Sequence, residues 1–149
     1  MTPKSILVPV DFSPYGEHAL DYACGLAEKL GATLHLVNAI GAGTPELNVV
    51  FTDKVLETFR AKSMAELEKI AKDRASIAKF GHLIVQAGDP RDAILQAAEK
   101  LNPDLIIMGS HGRRGFSRAV LGSVAENVVR RAPCPVLVVR APKEHKEHS

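Results

Sequence analysis

Five short apolar runs, at residues 5–10, 33–39, 82–86, 104–108 and 136–139, alternate with longer stretches in which apolar residues recur at helical spacing. That alternation is the strongest constraint on the fold. Strands separated by helices are joined by crossovers, and crossovers make a parallel sheet covered on both faces. The runs are nearly continuous in apolar character, as strands buried on both sides must be.

Punctuation agrees with the periodicity. Ser13 followed by Pro14 reads as an N-cap and first helical residue, and Ala19, Tyr22, Ala23, Leu26, Ala27 and Leu30 form a core-facing stripe. Gly31 is placed to end that helix in the left-handed conformation. Residues 40–50 read as the longest loop. Residues 52–78 read as one long amphipathic helix carrying Val55, Leu56, Phe59, Leu67, Ile70 and Ala71. Asp89-Pro90 repeats the capping device ahead of Ile94, Ala97, Ala98 and Leu101, and Asn102-Pro103 stops that helix. The last helix, 124–131, shows Val124, Ala125, Val128 and Val129 as its stripe.

Composition bounds the class. A chain of 149 residues with 46% hydrophobic and 24% charged residues is large enough for one self-sufficient core. The expected organisation is one domain over residues 1–142 and a charged tail over 143–149. A net charge of +2 does not point to nucleic acid. The first strand begins at Ser5, which leaves no room for a signal peptide, and no apolar run approaches membrane-spanning length. The 2 cysteines, Cys24 and Cys134, suggest no disulfide framework and fit a reducing cytoplasm. His145 and His148 stand in a tail too polar to build a metal site.

The chemistry concentrates between the fourth strand and the last helix. Gly109-Ser110-His111-Gly112 is followed, after nine residues, by Gly122-Ser123. Glycine at the mouth of a strand lets backbone amides approach a ligand, since no Cβ intervenes. A helix start adds unpaired N–H donors and the positive end of its dipole, a ready anion site. Arg113, Arg114 and Arg118 lie between the two anchors, where solvated loop charges are also ordinary. Ser123 can serve as N-cap, as phosphate ligand, or as both. His111 is read as pocket-lining through backbone or ring; no neighbour supplies a second metal ligand. Asp11, closing the first strand, is either the residue that leads into a helix or a ligand group.

Other templates fail. Gly109-x2-Gly112-x2-Gly115 is not the dinucleotide fingerprint and follows the fourth strand rather than the first. There is no Gly-x4-Gly-Lys-Ser/Thr loop and no Gly-x-Ser-x-Gly elbow. A receiver domain would need an acidic residue directly after strand three, where Gln86-Ala87-Gly88 stands.

The Gly-x2-Gly-x9-Gly-Ser spacing resembles the nucleotide-binding signature of the universal stress protein family, in its ATP-binding branch. So do Ile6-Leu7-Val8-Pro9-Val10-Asp11-Phe12-Ser13, Gly88-Asp89-Pro90, and Pro133-Cys134-Pro135 with the strand after it, in the same order. The resemblance implies a Rossmann-like open sheet of order 3-2-1-4-5 with a ligand crevice at the switch point between strands one and four. It implies ATP there, with Mg2+ carried by the phosphates. Asp11, with the backbone of Pro9 and Val10, would meet base and ribose. Val37 would offer backbone to the adenine edge, and Met108 and Val124 would line the pocket. Gly109, His111, Gly112, Arg113, Gly122 and Ser123 would hold the phosphates.

Val136, Leu137, Val138 and Val139 form an end strand without interior proline or charge, and an edge of that kind invites pairing with a second copy. The resemblance likewise implies a homodimer through this strand. The sequence identifies no base, carboxylate pair or arginine finger. The leading function is therefore a cytosolic, nucleotide-dependent stress regulator whose protein partner the sequence does not name. The alternatives are a slow ATP hydrolase or nucleotidyl-transfer enzyme using Asp11 and His111, and a binder of a cyclic adenine nucleotide.

Overall fold

The computed structural model describes residues 2–41, 52–111 and 121–140. Nine elements follow one another as β1 (Ser5–Pro9), α1 (Pro14–Leu30), β2 (Thr33–Gly41), α2 (Asp53–Asp73), β3 (Lys79–Gly88), α3 (Pro90–Leu101), β4 (Leu105–Gly109), α4 (Ser123–Arg131) and β5 (Val136–Val139). They form one α/β domain. Every strand pair is parallel, as the alternation of strands and helices requires, and the order is β3-β2-β1-β4-β5, as the family resemblance implies.

Alternation along each strand divides the core into two layers. Ile6, Val8, Leu34, Leu36 and Ile107 point to one face, where Leu20, Ala23, Cys24 and Ala27 of α1 and Leu67 of α2 cover them. Leu7, Val37, Ile106 and Met108 point to the other, under Ile94, Ala97 and Ala98 of α3 and Ala125 and Val128 of α4. Each large side chain so buried contributes about 1.5–3 kcal/mol. α1 and α2 share one face and α3 and α4 the other, so the winding reverses between β1 and β4. That reversal is the switch point.

Local signals set most boundaries. Ser13 Oγ accepts from the Gly16 amide at the start of α1, and Gly31 ends it with φ 67°. Thr52 caps α2, Asp89 caps α3, and Asn102 ends α3 in the left-handed region. β5 lies where the sequence puts it.

Several expectations need correction. α2 stops at Asp73, not residue 78, and β3 starts at Lys79 rather than at residue 82. The intervening segment turns on bonds such as that from the Ala78 amide to the Arg74 carbonyl. β2 runs on to Gly41, and β4 begins at Leu105, just after Asp104, whose carboxylate accepts the Lys4 and Ser5 amides. Tyr22, Phe59 and Val129 are exposed, so the buried stripes are narrower than the sequence suggests. The loop beyond Gly41 and the tail lie outside the described residues.

The sheet's two edges differ. The Val37 carbonyl accepts from the Val10 amide, so Val37 faces β1 and the next residue, Asn38, faces β3. Asn38 stands opposite Val85, whose own amide and carbonyl therefore point outward. Arg60 of α2 donates to that carbonyl at 2.8 Å. The same edge carries an irregularity between Leu34 and Leu36, where the register passes from Phe80 to Leu83. On β5, the carbonyls of Pro135 and Val139 accept from Ile106 and Ser110 of the β4 segment. Val136 and Val138 therefore turn their backbone groups away from the sheet.

Candidate functional site

The site is built from two strand ends and two helix starts. Beyond Pro9 the β1 ladder stops, and the chain turns sharply through Phe12, which holds φ 62°. That conformation is uncommon for a bulky side chain and marks a constrained turn. The Asp11 carboxylate braces it: Oδ1 accepts from the Ser13 amide at 2.9 Å and from Ser13 Oγ at 2.6 Å. Gly16 lies directly behind, where a β-carbon would come 2.7 Å from Asp11 Oδ1. These bonds give Asp11 the helix-leading role.

Sequence reasoning did not single out Asn38. It is buried, donates Nδ2 to the Val10 carbonyl at 2.7 Å, and accepts from Ser63 Oγ at 2.6 Å. An unpaired carbonyl at that depth would cost about 1–3 kcal/mol, so this pair holds the end of β1 to β2 and α2. A buried polar residue breaking an apolar strand was the available signal. Val37 is fully buried, and its carbonyl is engaged by Val10. On the edge facing β1, the next backbone groups along β2 belong to Ala39.

β4 delivers Gly109 to the same place. A β-carbon there would lie 3.3 Å from the His111 carbonyl and 3.5 Å from that of Tyr15, in the first turn of α1. The strand end and the start of α1 thus meet, as the switch point requires. Met108, on the α3–α4 face, and Val10, on the α1 face, are both buried. Ser110 is buried, with Oγ 3.1 Å from His111 Nδ1, and Nε2 of the same ring is buried with no hydrogen-bond partner among the described residues.

α4 begins against this turn. The Gly122 amide donates to the Ser110 carbonyl at 2.8 Å, and a β-carbon on Gly122 would stand 2.8 Å from that oxygen. Glycine is therefore required for packing whether or not a ligand binds. Gly122, not Ser123, is the N-cap; no side chain caps this helix, and Ser123 is its first residue. Val124 is half-buried against the α3–α4 core. The first-turn amides of α4 are available to an anion in a way that those of α1, capped by Ser13, are not. Gly112 and Arg113, like Arg114 and Arg118, lie outside the described residues.

Elsewhere two shallow grooves occur. One, of about 330 Å³, runs between α1 and α2 beside Phe12, Leu20, Ile70 and Arg74. The other, of about 230 Å³, lies between α3 and the end of α4. Neither is lined by Gly109, His111 or Ser123; the candidate site is identified instead by its backbone geometry and an orphaned ring nitrogen. Among the described residues no three His, Cys, Asp or Glu side chains cluster as metal ligands. Nor, among them, is any helix long and apolar enough to cross a membrane. Burial pushes the thiols of Cys24 and Cys134 up, opposite to activation.

An open parallel sheet with a glycine-lined crevice and a bare helix start at its switch point defines a nucleotide-binding class of α/β fold. Residues 2–140 match the family model for the universal stress protein family, and the chain belongs to that family. A universal stress protein of Methanocaldococcus jannaschii is 31% identical over 144 residues, spanning 95% of this chain and 84% of the relative. The universal stress protein UspA of Lactobacillus plantarum superposes with a TM-score of 0.78 at 27% identity, over 94% of this chain and 99% of that one. A universal stress protein solved in complex with cAMP gives 0.67 at 26% identity, over 95% and 100%.

Proposed function

We propose that this chain binds an adenine nucleotide, ATP foremost, in the crevice between the ends of β1 and β4, and acts as a nucleotide-dependent regulator in the cytoplasmic stress response. The observation that carries the reading is the uncapped start of α4 at the switch point, beside glycines that admit a ligand to the backbone. The phosphates would lie on the amides of Ser123 and Val124 and near Gly109 and His111, with Mg2+ held by the phosphates themselves. The base would sit toward Pro9, Val10, Asp11 and Met108. Because the Val37 carbonyl serves the sheet, the backbone of Ala39 is the part of β2 best placed for the adenine edge.

The β5 edge, with Val136 and Val138 facing outward, supports a homodimer joined by Val136, Leu137, Val138 and Val139. The described partner of the His111 ring is the Ser110 hydroxyl rather than a carboxylate that would support it as a general base, which favours regulation over turnover. Steady hydrolysis near an ordinary enzyme rate of about ten per second would replace this reading with the enzymatic one.

A cyclic adenine nucleotide is the second reading, favoured by the relative solved with cAMP. Mass spectrometry of the ligand retained on purification, followed by calorimetric titration with ATP and with cAMP, decides. Retained or titrating ATP supports the first reading and cAMP alone the second. Protein that holds neither overturns both.

A further inference from the structure

The Ser110–His111 pair carries more than a place in the crevice. The Ser110 hydroxyl is buried and 3.1 Å from His111 Nδ1, while Nε2 is buried with no partner among the described residues. Two neutral tautomers are available to the ring. If Nδ1 carries the proton, the serine oxygen accepts it, and both the hydroxyl hydrogen and the Nε2 lone pair are left without partners. If Nε2 carries the proton, the serine hydroxyl donates to Nδ1 and only the Nε2–H is orphaned. Each buried orphan is costly, so the second arrangement is favoured.

The orphaned nitrogen also has a setting. The ring's Cδ2, bonded to Nε2, lies 3.6 Å from where a β-carbon on Gly122 would stand, so the imidazole packs against the uncapped start of α4. A buried ring nitrogen and a bare helix start are therefore neighbours at one position of the crevice. An oxyanion suits that position, since it accepts from both and sits at the positive end of the helix dipole.

We propose that Ser110 fixes His111 as the neutral Nε2–H tautomer and that this N–H donates to a phosphoryl oxygen of the bound nucleotide at the start of α4. This rests on the nucleotide reading above and extends it: the imidazole ring, rather than its backbone alone, distinguishes a phosphorylated ligand from a bare nucleoside. Ser110 is then a positioning residue, acting through the tautomer.

The test is nitrogen NMR of 15N-histidine-labelled protein together with calorimetry. At neutral pH the His111 ring should show the Nε2–H pattern, and its Nε2–H signal should move with ATP but not with adenosine. Ser110→Ala should let the tautomers mix and weaken ATP binding several-fold, leaving adenosine affinity unchanged. His111→Ala should weaken ATP by roughly ten-fold or more, and His111→Gln, whose amide N–H reaches the Nε2 position, should recover most of that. Circular dichroism checks that each variant is folded. An Nδ1–H ring in the wild type, or an Nε2 signal that ignores bound ATP, overturns this proposal and leaves the nucleotide reading standing. A wild-type protein that binds no nucleotide overturns both. Inorganic triphosphate moving the same signal separates a general phosphate donor from one that needs the nucleoside; a response to triphosphate and ATP, but not to adenosine, supports the proposal.

Discussion

The backbone amide of His82 donates a 2.9 Å hydrogen bond to Nδ1 of His35, across the boundary between β3 and β2. The two rings lie 5.2 Å apart. Nδ1 can accept only while His35 is neutral, and burial first, then the neighbouring His82, lowers its pKa below the usual 6.5. The unfolded chain therefore takes up this proton at higher pH than the folded one, so stability falls as pH drops below 6.5. The contribution is fully present above that value. Urea melts at about pH 7.5 and about pH 5 should show the loss, and His35→Asn, which keeps an acceptor at the same place, should reduce it. A pH dependence unchanged in the variant would assign the loss to other groups.

Gly81 makes that contact possible. A β-carbon there would stand 2.5 Å from His35 Cε1 and 2.7 Å from Nδ1. Gly81→Ala should destabilise the fold by about 1–3 kcal/mol, because the ring must move and the His82 amide loses its acceptor. Gly25→Ala, in the middle of α1 with nothing within 4 Å, is the matched control and should be neutral or stabilising. Chemical denaturation of both variants measures the difference.

Ser123→Asp separates helix stability from ligand binding. A carboxylate in the first turn of α4 favours the helix dipole, so the melting temperature should hold or rise. The same charge repels a phosphate at that position, and ATP affinity should fall by roughly ten-fold or more. Calorimetry beside a thermal melt reads both. Unchanged ATP affinity in the folded variant would remove the start of α4 from the phosphate site.

Val138→Pro tests the β5 edge. The Val138 amide faces away from β4, so proline there should spare the internal ladder and weaken pairing with a second copy. Light scattering across a dilution series should find a wild-type dimer and a variant shifted toward monomer. A wild type monomeric at tens of micromolar, or a dimer indifferent to the proline, excludes this arrangement.

What the sequence discloses about this fold is what is decided locally. Ser13, Gly31, Asp89 and Asn102 end or begin helices through bonds to residues a few positions away, and each could be read in place. β3 begins earlier than its composition suggests because Gly81 looks like a break. Its actual role is to leave room for His35, which lies on another strand. The choice of Gly122 over Ser123 as N-cap depends on the Ser110 carbonyl, beyond the reach of a local signal. Asn38 stood out only as a polar residue in an apolar strand, and its role depends on Val10 and Ser63, both distant in sequence. Tyr22, Phe59 and Val129 kept the right spacing but fall at the margins of their helices' buried stripes. Within the candidate site, Gly109, Gly122 and Asp11 stand out as a motif, whereas the tautomer proposed for His111 depends on how the Ser110 hydroxyl is placed in three dimensions.

The guanidinium of Arg60 on the Val85 carbonyl has a consequence for stoichiometry. A sheet with two receptive borders can add copies without limit and grow into a filament. Here the β3 border is interrupted by that contact and by the irregularity beside His35, while β5 offers Val136 and Val138 outward. In the proposed pair, association through β5 about a two-fold axis would use up that border on both copies, and growth would stop at a closed pair. Arg60 would act in this sense as a terminator of polymerisation, from the edge of the sheet opposite the proposed joining strand.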